Sequence, residues 1–274
     1  MKSLLPALAA LLILVSCGDD PSAREAEPTA VAPTAVNPAP AAPPAPDSIG
    51  GIDTYTYLTG QFDPAEHPDF VRVADRYTDG DPYLLHRDTY AAFERMHAAA
   101  LEDGVRLRII SATRNFERQK QIWEAKWNGN RLLEGTERAD KVYPDAADRA
   151  RAILRYSSMP GTSRHHWGTD LDLNALNNDY FRDGEGQRTY DWLTAHAAEY
   201  GFCQPYTAKG EARPDGYEEE RWHWSYLPLA TRLTDYAATR LHDEDIAGFE
   251  GAEAAPRIGV VRNYVLGVNP ECKN

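Results

Sequence analysis

Residues 51–274 predict a single compact α+β domain in which a small central antiparallel sheet is flanked by helices. Three observations carry this. Short segments around 105–110, 169–174 and 221–226 alternate apolar and polar residues with a period of two, as strands do. Between them lie longer segments whose apolar residues recur at helical spacing. The stretch contains no internal repeat and is long enough to bury one sizeable core.

Taken in order, Lys2 is followed by the apolar run LLPALAALLILV and then by Leu14, Val15, Ser16 and Cys17, which reads as a lipoprotein signal peptide over residues 1–16 with a lipobox. That run is shorter than the about 20 apolar residues of a spanning helix. Cys17 is the expected lipid-acylated first residue of the mature chain. Residues 17–50 are rich in Ala and Pro with few large apolar side chains, so they predict an extended tether. A helix is expected over 88–101, with Asp88 as its N-cap, a stop near Gly104, and Tyr90, Phe93, His97 and Leu101 along one side. The strand at 105–110 follows, then a helix over 117–126. Residues 128–156 are charged and weakly periodic and read as an excursion over the site. After the 169–174 strand come a helix over 190–200 ending at Gly201, the 221–226 strand, and a last helix opened by Pro228.

The formal net charge is −13 and no basic patch stands out, which argues against nucleic acid or an anionic membrane surface as partners. Of three cysteines, Cys17 is assigned to the lipid. Cys203 and Cys272 then predict a disulfide in an oxidising compartment, against the alternative of two unrelated buried thiols.

The segment SRHHWGTDLDLN, Ser163 to Asn174, and the later EERWHWSY, Glu219 to Tyr226, carry the chemistry. A catalytic zinc takes three protein ligands of His and Asp/Glu type and leaves a fourth position open. His165, Asp172 and His223 can provide those three, with Glu220 beside them. Alternation puts Asp170 and Asp172 on one strand face and Leu171 and Leu173 on the other. The same rule puts His223 and Ser225 opposite Trp222 and Trp224. Glu220 would point away from His223 on a regular strand, so a bend is expected just before Trp222. Adjacent residues of an extended chain face opposite ways, so only one of His165 and His166 should reach the ion. His67, His86, His97, His196 and His242 lack such spacing partners and read as structural or solvated, with His97 and His196 on helix faces.

These motifs resemble the zinc D,D-carboxypeptidases and dipeptidases of the VanY and VanX type, whose signature is Ser-x-His-x-x-Gly-x-Ala-x-Asp followed by Glu-x-Trp-His. Ser163, His165, Gly168 and Asp172 match the first part, and Glu220, Trp222 and His223 the second. Asp170 stands where the pattern has alanine, and the extra carboxylate on the metal-facing side is open to three readings: a partner behind a metal ligand, a contact for a substrate amine, or a competing ligand. Upstream, SATRNFERQKQIW looks like the family's Ser-Gly-Tyr-Arg-Ser segment and the helix behind it, with Ala112 and Thr113 in place of Gly-Tyr. The resemblance runs from about Leu84 to Tyr226 and selects His165 over His166 as the ligand. It implies a zinc in a cleft, Glu220 as general base and acid, and Arg114 as carboxylate clamp or oxyanion support. Ser163 and Gln119 become pocket contacts. The implied activity is removal of terminal D-alanine from peptidoglycan stem peptides. A monomer is expected, and the lipobox at Cys17 places it at the periplasmic face of the bacterial envelope through its lipid. Gly18 after the lipidated cysteine favours the outer membrane where there is one. Cleavage of an L,D bond, an endopeptidase on the same metal set, and a tethered wall-binding protein without turnover are the alternatives.

Overall fold

The computed structural model describes residues 46–273. The expected signal peptide, the expected lipidation at Cys17 and nearly all of the expected tether lie outside the described residues. The strands are β1 (Ser48–Ile49), β2 (Ile52–Asp53), β3 (Phe70–Arg72), β4 (Leu84–His86), β5 (Ile109–Ser111), β6 (Asp170–Leu173), β7 (Phe202–Cys203) and β8 (His223–Tyr226). The helices are α1 (Thr54–Leu58), α2 (Arg87–Glu102), α3 (Phe116–Trp127), α4 (Ala139–Val142), α5 (Ala146–Ile153), α6 (Gly184–His196), α7 (Leu227–Arg240) and α8 (Ala255–Ile258). Strand β1 already pairs with β2, so the folded body takes in Ser48 and Ile49 ahead of residue 51.

The central sheet has the order β5-β6-β8-β7, and all its neighbours are antiparallel. One face carries Ile109, Leu171, Leu173 and Trp224 into a core shared with α2 and α6. A second core joins α3, α4 and α5 to residues 246–268, and a third packs Tyr57, Leu58 and Phe70 around Trp167 and α7. The functional residues lie on the sheet face opposite the first core.

Several expectations are corrected. The strand expected at 105–110 is confined to β5, because Asn174, with φ 65°, turns β6 away and takes the N–H of Arg108 on its side chain instead. Helix α2 starts at Arg87 and is capped by His86, whose Nδ1 accepts from the N–H of Asp88. The helix expected at 190–200 begins earlier, as α6, and finishes in a 3₁₀ turn at Ala197–Tyr200 before Gly201. Helix α7 is followed by further helical segments, including α8 and a π-turn at Val261–Val265. Residues 128–156 hold α4 and α5, whose Ala139, Ala147, Ala150 and Ile153 are core residues. Alanine gives too weak an apolar signal to mark that face in the sequence.

Cys203 on β7 and Cys272 near the C-terminus form a disulfide spanning 69 residues. In the chain-entropy picture a loop of this length stabilises by about 4 kcal/mol. Replacing both cysteines by serine should lower the denaturation free energy by roughly 2–4 kcal/mol in a urea titration.

Candidate metal centre and active-site cleft

The β6/β8 register is what brings the site together. Asp172 lies directly across from His223, and Asp170 across from Ser225. Directly opposed residues of an antiparallel pair have Cβ atoms only about 4.5–5.5 Å apart, so a D-x-D strand beside an H-x-S strand delivers four polar side chains to one face. His165 arrives from a separate element, a 3₁₀ turn at Arg164–Trp167 rather than the extended chain expected. Gly168 ends that turn at φ 72°, and a Cβ there would meet Phe70 and the backbone of His86 at under 3 Å, so only glycine fits.

His165 and His166 go different ways. His165 Nδ1 lies 2.8 Å from the carbonyl of Ala112, which only accepts, so Nδ1 carries the proton and Nε2 keeps its lone pair toward Asp172. His166 donates from Nδ1 to the carbonyl of Arg114 and accepts at Nε2 from the N–H of Gly161. Burial pushes its pKa down to about 3, and it serves as a neutral tie between two segments.

Asp172 Oδ1 is 3.4 Å from His165 Nε2 and 3.4 Å from His223 Nδ1, and it accepts no hydrogen bond. A tetrahedral ion bound at about 2.0–2.1 Å by each donor has donor–donor edges of roughly 3.3–3.4 Å. All three ligand atoms lie within 4.8 Å of one another, and the three residues are buried. Two imidazoles and a carboxylate with an orphaned oxygen thus fit a divalent cation. Burial alone would raise the Asp172 carboxyl, but His165, His223 and Arg114 hold it at about 2.

Glu220 completes the cluster, with Oε2 3.1 Å from His223 Nδ1. The bend expected before Trp222 is present as a turn in which the N–H of His223 bonds the carbonyl of Glu220. Gln204 Nε2 also donates to that carbonyl, at 3.0 Å, and the Glu220 N–H bonds Tyr206 O, at 2.9 Å. Burial pushes the Glu220 carboxyl above its ordinary value, against the hydrogen bond from His223.

Burial also opposes charge on His223, but hydrogen bonds to Asp170 and Glu220 and the charge of Asp172 raise its pKa to about 9. The metal-free imidazole is therefore protonated below about pH 9, and its support of the metal-free fold fades as pH rises through that value. A cation must displace this proton, so its apparent affinity should rise about tenfold per pH unit toward pH 9. Competition with a chromophoric chelator between pH 6 and 9 measures that slope.

Arg114 Nη1 lies 3.7 Å from Asp172 Oδ2, and its guanidinium is braced by Gln119 Oε1 at 3.0 Å and Ser111 Oγ at 2.6 Å. Gln119 is 1 % exposed, and its Nε2 donates to the carbonyl of Ser158. Gln119 lines the cleft as expected, and through both ends of its amide it also braces Arg114 against the 156–158 segment. Ser163 Oγ faces the cleft without a hydrogen-bond partner among the described residues.

The cleft has a volume of about 620 Å³ and is walled by α3, the segment at 156–158, Tyr206, Tyr217 and Trp222. Sequence reasoning missed Lys126, whose Nζ donates to Ser157 Oγ and which has no carboxylate at ion-pair distance among the described residues. Burial and the neighbouring Arg131 lower its pKa to about 8. No spacing rule marks a lysine on an otherwise ordinary helix as facing a cleft. Tyr206, which packs edge-on against the His223 ring at 4.8 Å, lies in a loop with no sequence signal of its own.

Residues 82–229, more than half of the chain, match the family described as VanY, D-alanyl-D-alanine carboxypeptidase. A D-alanyl-D-alanine carboxypeptidase of Enterococcus faecalis is 28% identical over 151 residues, covering 54% of this chain and 48% of that protein. The chain spans about half the length of the curated relatives it matches. Among solved structures, VanYB in complex with D-alanine-D-alanine is 22% identical, with 65% of this chain and 86% of that one covered, at a TM-score of 0.45. The LD-carboxypeptidase LdcB is 22% identical, with 73% and 81% covered, also at a TM-score of 0.45.

Proposed function

The chain belongs to the VanY D-alanyl-D-alanine carboxypeptidase family, and from that premise we propose that it is a zinc-dependent carboxypeptidase that removes the terminal D-alanine from peptidoglycan stem peptides. The observation that carries the reading is the buried cluster of His165, Asp172 and His223, with the Glu220 carboxylate 3.1 Å from His223 Nδ1. The donor set suits zinc, and a bound zinc supplies Lewis acidity that polarises the scissile carbonyl and acidifies water.

The chain's own groups do the rest. Glu220 takes the proton of the attacking water and returns it to the departing amine, a task helped by a carboxyl whose burial raises its basicity. Arg114 lies beside Asp172 and stabilises the negative charge that develops on the carbonyl oxygen. Ser163 Oγ offers a hydrogen bond to the substrate backbone, and Lys126 a charge for a substrate carboxylate. The lipid at Cys17 and the tether of residues 17–50 hold the enzyme in the envelope within reach of its polymer.

Mass spectrometry of pentapeptide and tetrapeptide muropeptides, after incubation with the zinc-loaded protein and with a Glu220→Gln control, tests this. Loss of one alanine from the pentapeptide alone is the expected result. Loss from the tetrapeptide would move the assignment to the L,D bond, and an internal cut to an endopeptidase. No Glu220-dependent change in either would leave a wall-binding protein.

A further inference from the structure

We propose that Arg164 and Asp170 form a buried orienting pair that fixes His223 for the metal ion, an ionic support in this chain where the family's motif has alanine. The inference rests on the reading that His165, Asp172 and His223 hold the ion.

Asp170 is fully buried, and four donors saturate its carboxylate. Oδ2 accepts from Arg164 Nε at 3.0 Å and from His223 Nε2 at 2.8 Å, and Oδ1 accepts from Thr169 Oγ1 at 2.6 Å and Ser225 Oγ at 2.8 Å. A carboxylate so engaged only accepts, so His223 Nε2 must carry a hydrogen. The nitrogen left for an ion is then Nδ1, the one 3.4 Å from Asp172 Oδ1. The imidazole ring stands between Asp170 and that nitrogen. Asp170 is thus neither a competing ligand nor a contact for a substrate amine.

Arg164 is in turn fixed on every side. Its Nη1 donates to Thr234 Oγ1 and its Nη2 to Ser225 Oγ, both at 2.8 Å, and the guanidinium lies 4.7 Å above the Trp167 ring. The Thr234 hydroxyl donates in turn to the carbonyl of Ala230, and the Ser225 hydroxyl donates to Asp170 Oδ1. Each hydroxyl therefore donates once and accepts once, which leaves the network a single arrangement. Thr234 belongs to α7, beyond residue 229 where the family match ends. Helix α7 is thereby tied through Arg164 and Asp170 to the far side of a metal-facing histidine. Carboxylates behind ligating histidines fix the tautomer and the ring and raise the basicity of the nitrogen that binds.

Zinc affinity, measured by competition with a chromophoric chelator, tests the pair in Asp170→Asn and in Arg164→Met/Asp170→Ala, which removes both charges together. Circular dichroism shows which variant is folded, and either folded variant decides. The expected result is zinc binding weakened about 10- to 100-fold. Wild-type affinity in a folded variant would overturn the proposal. Long-range ¹H–¹⁵N spectra of the zinc-loaded wild type need no variant. They should show His223 protonated at Nε2 and metallated at Nδ1, and the reverse assignment would overturn the proposal. A wild-type protein that binds no zinc would instead remove the metal reading on which the inference stands.

Discussion

Glu220→Gln is expected to lower kcat by about 10²–10⁴-fold while leaving zinc stoichiometry and KM nearly unchanged. Glutamine keeps the size of the side chain and a hydrogen-bonding oxygen near His223, but it cannot take a proton from water. The backbone of residue 220 stays held by Gln204 and Tyr206, so the loop should not move. Glu220 is 5 % exposed, in a cleft where burial raises its basicity, and no other carboxylate among the described residues is placed to substitute. Asp172 is committed between two imidazoles and Asp170 behind His223. Steady-state kinetics on a peptide ending in D-Ala-D-Ala, with metal analysis of the same samples, reads both quantities. A fully active variant would remove Glu220 from the chemistry.

Asp172→Asn should have the other large effect, through the metal. The Asp172 carboxylate is the charge that both imidazoles face, and its Oδ1 has no hydrogen-bond donor to satisfy it. The amide keeps the shape and loses the charge. It also leaves Arg114 without its partner at 3.7 Å in a site already rich in cations. Zinc affinity should fall by more than about 100-fold, beyond the roughly 10–100-fold typical of residues that only support a ligand. Turnover should fall to the uncatalysed level at micromolar zinc, and His223→Ala should behave in the same way. Retention of tight zinc binding by the folded Asp172→Asn protein would place the ion elsewhere.

The central sheet and the cluster on it were legible because two-residue alternation is a strict rule. DLDL and HWSY each had to send every second residue to one face, and Leu171, Leu173 and Trp224 do fill the core behind. The turn before His223 was legible for the same reason, since Glu220 could reach the cluster only if the alternation broke. The 3₁₀ turn at Arg164–Trp167 was not, because its hydrogen bonds depend on distant partners, such as Tyr57 donating to the carbonyl of Trp167. The function of Asp170 was equally hidden. Sequence placed it on the metal-facing side, and only the opposing register with Ser225 and the reach of Arg164 show that its carboxylate lies behind His223. Lys126 and Gln119 share helix α3, and that the Lys126 ammonium faces the cleft while the neutral Gln119 amide braces Arg114 depends on the packing of the 156–158 segment.

Crystals of the zinc-loaded protein, measured on both sides of the zinc absorption edge, test the account at its centre. One anomalous peak is predicted, about 2.0–2.2 Å from His165 Nε2, Asp172 Oδ1 and His223 Nδ1, with Asp170 outside coordination distance. A peak ligated by Asp170, by His166 or by residues outside this cleft would contradict it.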